Sequence, residues 1–295
     1  MKKKYVPYLF IAPFFIMFAV FLIVPLFQGF KFSLYKFSMG FPTEFVGFRN
    51  YELILSNPRF YHALRVTLLY TLGHGALHLG VALVVALILN LKLKGRSVFR
   101  TIYFLPVICS FVVSALFWRL LLDEHLGLIN KMLRGIGLPA YPWLESPFLI
   151  LFSLIVIGSW RWFGFQMVLL LAGLQSIPTE LYDAAKVDGA NNLQVTRYIT
   201  LPLLFPVLFF CVAIILIGSL MLFEEPYILT SGGGGQPGGP GQNALSLALY
   251  MYLTAFSHFK LDAGYAMGVL LTLLIMGASF VYTRSLGRMA GWGRE

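Results

Sequence analysis

The stretch "YITLPLLFPVLFFCVAIILIGSLMLF", residues 198–223, runs its whole length without a charged side chain. About 20 apolar residues in a helix cross the hydrocarbon core of a bilayer. Inside that core, backbone N–H and C=O groups must find partners within the protein, which a helix provides and an isolated strand does not. The stretch therefore reads as a transmembrane helix. Working outward, the same reading applies to Tyr8–Phe30, Val66–Leu91, Thr101–Trp118, Pro147–Leu174 (interrupted only by Arg161) and Ala263–Thr283. The expectation is an all-α, polytopic membrane protein with six transmembrane helices, residues 1–295 forming one membrane domain. Composition agrees. Hydrophobic residues make up 59% and charged residues 12%, against about 25% charged in ordinary soluble domains, and mean hydropathy is +0.80.

Charge sets the orientation. Basic residues favour cytoplasmic loops. With the N-terminus inside, residues 1–7, 92–100, 175–197 and 284–295 face the cytoplasm and hold Lys2, Lys3, Lys4, Lys92, Lys94, Arg96, Arg100, Lys186, Arg197, Arg284, Arg288 and Arg294. The outer segments are longer and poorer in Lys and Arg; residues 224–262 hold only Lys260. Both termini are thus expected in the cytoplasm. The first apolar run is too long for the core of a signal peptide and no small-residue cleavage site follows it, so it reads as a retained span. The net charge of +10 points to anionic membrane lipid as the partner of these loops. No nucleic-acid-binding motif accompanies it.

Among the outer segments, residues 31–65 are expected to include a surface-lying stretch, and the second half of 119–146, with Gly135, Gly137, Pro139 and Pro142, reads as loop. "SGGGGQPGGPG", residues 231–241, is a flexible link. It lacks the Gly-Lys-Ser/Thr ending of a phosphate loop, and no strand precedes it. Cys109 and Cys211 lie inside apolar runs and read as small buried hydrophobes. Neither a cofactor nor a metal is expected, and no set of nucleophile and base marks an enzyme.

One cytoplasmic segment is unlike its surroundings: "PTELYDAAKVDGANN", residues 178–192. Pro178 suits the first turn of a helix. Glu180 and Asp183 favour the positive end of the helix dipole, and Gly189 suits a left-handed terminator. The prediction is a helix of about three turns over residues 178–188. Ala184 and Ala185 leave part of it nearly bare, able to enter a groove on another protein. A solvated connector is the plainer reading of the same residues.

Spacing weighs against the connector. Asp183-Ala184-Ala185 is followed after three residues by Gly189, after nine more by Ile199, then, one residue on, by Leu201-Pro202. This resembles the signature of binding-protein-dependent ABC importer permeases, with Asp183 in place of the usual Glu. The stretches "WRWFGFQMVLLLAGLQSIPTELYDAA" and "LTSGGGGQPGGPGQNALSLALYMYLTAF" resemble the carbohydrate-uptake branch, in particular the larger maltose-type permease chain without its periplasmic insertion. The resemblance implies a multi-pass protein of the bacterial or archaeal cytoplasmic (inner) membrane. It implies a second permease subunit, a dimer of ATP-binding cassette ATPases that hydrolyses the ATP, and an extracytoplasmic solute-binding protein. It also makes residues 178–189 a coupling helix, with Glu180, Asp183, Ala184, Ala185, Asp188 and Gly189 docking on the ATPase. The implied cargo is a sugar or oligosaccharide, or alternatively a non-sugar solute such as a glycerol phosphate ester.

Within the spans, Arg161 is costly in lipid and is expected to face a cavity or partner. Its neighbours Trp160 and Trp162, with Gln166, offer the aromatic faces and polar groups that suit a sugar. The alternative is a snorkelling arginine in an aromatic belt. Glu224 and Glu225 either meet substrate or mark a hydrated helix end. His74 and His78, one turn apart beside Gly73, Gly75 and Gly80, suit a metal or proton relay by type, but small-residue helix packing explains them better. An ion-coupled secondary transporter would need intramembrane carboxylates, and the six runs contain none. A membrane enzyme would need facing nucleophiles or metal ligands.

Overall fold

The computed structural model describes residues 6–38, 40–91, 94–231 and 236–286. Lys2, Lys3, Lys4, Lys92, Arg288, Arg294 and residues 232–235 of the glycine-rich link fall outside these. The chain is mostly helical, with five helices long and apolar enough to cross a membrane, or six if one bent pair is a single span.

The described residues fall into two compact units, drawn from 1–61 with 250–274 and from 62–249 with 275–295. In the first, α1 (Val6–Phe18), a π-helical turn (Ala19–Ile23) and α2 (Val24–Phe32) make one long apolar helix. A two-stranded antiparallel hairpin follows, β1 (Tyr35–Ser38) with β2 (Phe41–Phe45). It corrects the all-α expectation. Tyr35-Lys36-Phe37-Ser38 alternates as a strand does, and Gly40 at φ +85° turns the chain. Then comes α3 (Arg49–Leu55), whose buried Asn50 donates through Nδ2 to the carbonyls of Ser33 (2.8 Å) and Tyr35 (3.0 Å), fastening α3 beneath the end of α2.

The next helix, α4 (Pro58–Asn90), starts eight residues before the expected span. Asn57 precedes it and accepts the Arg59 N–H through Oδ1 at 2.9 Å, a side-chain cap with proline at the first helical position. The expected continuous helix Thr101–Trp118 is a further correction. It is two helices, α5 (Arg96–Ile108) and α6 (Phe111–Leu121), bent by 100° at Cys109-Ser110. Pro106 removes a backbone donor inside α5, which weakens the helix there, and Cys109 and Ser110 are extended. A short α7 (Leu128–Gly135) precedes irregular chain.

α8 (Leu149–Gln175) is the most buried candidate span. Between helices in lipid, packing rather than hydrophobic burial drives association, so small residues mark the contacts. On α8 they point three ways. A Cβ on Gly158 would meet the Tyr70 hydroxyl of α4 at 2.3 Å, one on Gly164 the Tyr103 carbonyl oxygen of α5 at 2.0 Å, and one on Gly173 Val207 at 2.8 Å. Leu154 and Ile157 pack with Tyr70, Ala115 and Leu222, while Met167, Leu170 and Leu174 pack with Ala82, Ala86 and Leu204.

Beyond α8 lie α9 (Thr179–Val187), α10 (Asn192–Val195), a π-helical turn (Thr196–Thr200), α11 (Leu201–Leu220), α12 (Glu224–Ser231), α13 (Leu247–Tyr252) and α14 (Leu261–Leu286). Tyr282 of α14 stacks on Phe209 of α11 with ring centroids 4.7 Å apart.

Candidate functional site

The charged corner is built by its own residues. Pro178 is the N-cap of α9 rather than its first turn, in an extended conformation that no N–H bond requires. Glu180 lies in the first turn and Lys186 in the last, each at the dipole end that favours it. At the far end the backbone closes a complete Schellman motif. Gly189, at φ +74°, donates its N–H to Lys186 (3.1 Å), and Ala190 donates to Ala185 (2.9 Å). Two residues on, Asn191 caps α10 reciprocally. The Gln194 N–H donates to Asn191 Oδ1 (2.9 Å) and the Asn191 N–H to Gln194 Oε1 (2.8 Å). Stop and start signals thus abut, fixing α9 to the helix that continues into α11.

Ala185 and half-buried Tyr182 face inward, the Tyr182 hydroxyl 3.3 Å from Thr200 Oγ1. Glu180, Asp183, Ala184, Asp188 and Gly189 are exposed. Asp183 and Lys186 form a salt bridge at 3.0 Å, both ends in solvent, which contributes little stability. Sequence reasoning passed over Val187. It is 88% exposed and shares the face of Asp183 and Ala184 by helical spacing, a signal that was available in the sequence.

The intramembrane candidates do not converge on one point. Consecutive helical residues diverge by about 100°, and Trp160, Arg161 and Trp162 obey that. Trp160 packs edge-on against Trp118 with centroids 5.4 Å apart. Trp162 is exposed. Arg161 is buried. Its Nη1 donates to the Cys109 carbonyl (2.9 Å) and Ser114 Oγ (3.1 Å), and its guanidinium lies over the rings of Phe111 (4.8 Å) and Trp162 (5.3 Å). It points into the protein and does not snorkel. Gln166 is buried, and its Oε1 has no partner among the described residues.

In the first turn of α12, Glu224 is exposed and Glu225 is buried. Loss of water pushes the Glu225 carboxyl up to about 7. Its own backbone N–H opposes this, Glu224 adds to it, and Arg161 offsets part of it. His74 and His78 are buried with ring centroids 4.8 Å apart. His74 Nδ1 is 2.9 Å from Ser219 Oγ, and its ring stacks on Tyr70. No group of three metal-ligating side chains occurs among the described residues. A further cavity of 580 Å³, also missed in the sequence, is lined by Arg119, Asp123, Glu124, Trp143, Glu145 and Gln242 among others.

Fold and sites together define a class: a multi-pass helical membrane protein with a short charged helix on a rigid corner between two candidate spans and a polar cluster behind a sharply bent helix pair. The chain belongs to the family of binding-protein-dependent transport system inner membrane components, whose family model matches residues 4–290. It is 36% identical over 294 residues to the arabinooligosaccharides transport system permease protein AraP of Bacillus subtilis (strain 168), covering 99% of this chain and 92% of that protein. It is 35% identical over 281 residues to the trehalose/maltose transport system permease protein MalF of Thermococcus litoralis, covering 94% of this chain and 92% of that one. Among solved structures, a chain of a bacterial alginate ABC transporter in complex with an alginate pentasaccharide-bound periplasmic protein superposes with a TM-score of 0.78 at 25% identity, covering 98% of this chain and 96% of that one. The protein is a multi-pass permease component of the inner membrane.

Proposed function

We propose that this chain is the transmembrane permease subunit of an ABC importer that carries a sugar or oligosaccharide into the cytoplasm. The ATP would be hydrolysed by a separate ATPase dimer. A second permease subunit would complete the pore, and an extracytoplasmic solute-binding protein would deliver the cargo. Relatives named for arabinooligosaccharides and for trehalose and maltose support the sugar.

The observation that carries the mechanism is the rigid corner. Residues 178–189 form the coupling helix, and Glu180, Asp183, Ala184, Asp188 and Gly189 contact the ATPase with Val187 as an apolar knob, while Ala185 seats the helix on its own chain. A helix fixed by a Schellman motif and an abutting capping box transmits displacement instead of absorbing it. Rocking of helix bundles around a midplane site then follows.

The topology we propose has one membrane domain with six spans, the bent α5–α6 pair being the third, and with both termini and α9 in the cytoplasm. It is supported by Lys94, Arg96, Arg100, Lys186, Arg197 and Arg284, which lie at helix ends and in connections on the α9 side of that topology. The substrate pathway borders Trp160, Arg161, Trp162, Gln166 and Glu224. Trp162 and Glu224 present exposed surface, and Arg161 and Gln166 stand behind it.

The test is co-purification of the tagged chain from native membranes in mild detergent. A second six-span chain and a phosphate-loop ATPase should accompany it. Asp183→Arg with Ala184→Trp should lose the ATPase and keep the second permease. An ATPase still bound to that variant refutes the docking role. A wild-type chain that brings down no ATPase refutes the importer reading.

A further inference from the structure

The break in the third span presents a physical problem. A helix end inside a membrane leaves carbonyls without intrahelical partners, and lipid supplies none. Pro106 worsens this by removing one donor of α5. Cys109 ends α5 with its carbonyl outside any helix, and Ser114 lies in the first turns of α6. One side chain reaches both. Arg161 Nη1 donates to the Cys109 carbonyl at 2.9 Å and to Ser114 Oγ at 3.1 Å, and Phe111, the first residue of α6, lies under the guanidinium. Gly164, one turn further along α8, lets the α5 backbone approach closely enough for this grip, since a Cβ there would sit 2.0 Å from the Tyr103 carbonyl oxygen.

No carboxylate forms a salt bridge with Arg161 among the described residues. The buried cation is instead balanced by a carbonyl dipole, a hydroxyl and two aromatic faces. Of these, the Cys109 carbonyl is the group that the break frees and a continuous helix would bond internally. Glu225 lies close enough to feel the charge without pairing with it.

We infer that Arg161 is the positioning residue that holds the third span broken, by clamping the carbonyl of Cys109, the residue that caps α5, and the first turns of α6 to α8. Its contribution to transport then comes from the geometry of α5 and α6, not from contact with cargo. The inference rests on the permease reading only for its consequence in transport; the clamp itself is a statement about this chain.

The experiment measures the bend in the assembled importer in lipid nanodiscs. Spin labels go at exposed Val98 of α5 and Leu120 of α6, in a background with Cys109→Ala and Cys211→Ala. At about 1.5 Å of rise per residue, the 100° bend places these positions roughly 21 Å apart, against about 33 Å for a straight helix. The parent should give one narrow, short distribution. Arg161→Ala should spread it toward the longer separation, and Arg161→Lys, which can still donate to the Cys109 carbonyl, should keep most of it short. Ser114→Ala removes one anchor, leaves the charge bonded, and should give a longer-distance tail even if Arg161→Ala fails to assemble.

In uptake assays Arg161→Ala should lower Vmax about tenfold or more with KM within about twofold, the pattern of lost positioning and not of lost cargo binding. An unchanged distance distribution in Arg161→Ala or in Ser114→Ala overturns the inference, and so does a raised KM at unchanged Vmax. The distance needs neither transport nor a bound ATPase, so its failure is distinct from failure of the importer reading.

Discussion

Glu224 and Glu225 are chemically identical neighbours with opposite fates. One lies in solvent; the other is buried and holds its proton up to about pH 7 because burial penalises the charged form. The ordinary value is 4.5, so the folded protein binds a proton that the unfolded chain has already released between about pH 4.5 and 7. Stability rises with pH only where the unfolded state binds more protons. Here the sign is reversed. The contribution of Glu225 is full below about pH 4.5 and is lost as the pH climbs through 7. Glu225→Gln should remove that slope. Thermal unfolding of the purified assembly at intervals from pH 5 to 8 checks it, and an identical fall in the two proteins would reject the assignment. Sequence reasoning marked both acids and did not tell them apart. Which one turns inward depends on where α11 ends and α12 restarts, a matter of one residue that composition does not encode. Trp160, Arg161 and Trp162 show the same thing. Their types suggested one pocket, but three consecutive helical positions cannot share a direction.

Most helices were legible because hydropathy reports a solvent, and lipid imposes it on every long span. The break between α5 and α6 was not legible, because Thr101–Trp118 stays apolar straight through it. Its cause, Pro106 followed by two extended residues stapled from another helix, is tertiary. The hairpin at residues 35–45 and the early start of α4 left local marks, an alternating strand and an Asn-Pro cap, that the apolar pattern overshadowed. The glycines of α8 allow a graded prediction. Gly164→Ala drives a Cβ into the α5 backbone at the Tyr103 carbonyl, and backbone cannot step aside. Gly173→Ala meets the ends of Val207 and Leu204 side chains at 2.8 and 2.9 Å, which can turn away. Overpacking typically costs about 1–3 kcal/mol, and Gly164→Ala should fall at or above the top of that range with Gly173→Ala near its foot. Denaturant midpoints of the two variants in the same detergent decide it, equal losses counting against the close-contact account. At Gly189 the space is open but the left-handed backbone is not friendly to a Cβ. Gly189→Ala should therefore cost about 1–2 kcal/mol, localised to the end of α9 and visible as faster amide exchange at Ala190.

The proposed coupling requires that what happens at α9 be felt inside the spans. The signature spacing from Asp183 to Pro202 was readable because it records a covalent route, from α9 through turn to span, in which every residue lies in sequence order. The apolar faces left over were not readable in that way. The helix 8–32 buries none of its most apolar window within this chain, and what covers it depends on groups outside the sequence. The covalent route makes a prediction. If α9 is a lever, its stiffness at the joint with α10 matters separately from its grip on the ATPase. Asn191 makes the joint stiff by exchanging two hydrogen bonds with Gln194, and replacing a capping Asn by Ala costs about 1 kcal/mol. That is too little to unfold a protein held by two long helices, but it is enough to let the corner flex. Asn191 is on the far side of the Schellman turn from Asp183, Ala184 and Val187, so ATPase binding should survive in Asn191→Ala. What should change is the yield, with more ATP hydrolysed for each solute molecule moved in proteoliposomes than in the parent. Restoring the cap with Asn191→Asp or Asn191→Ser should recover it, because both side chains accept the Gln194 N–H. An unaltered ratio of hydrolysis to uptake in Asn191→Ala would mean that force enters the spans by another path, with the α8 end of the corner, through Ser176 and Ile177, as the place to look.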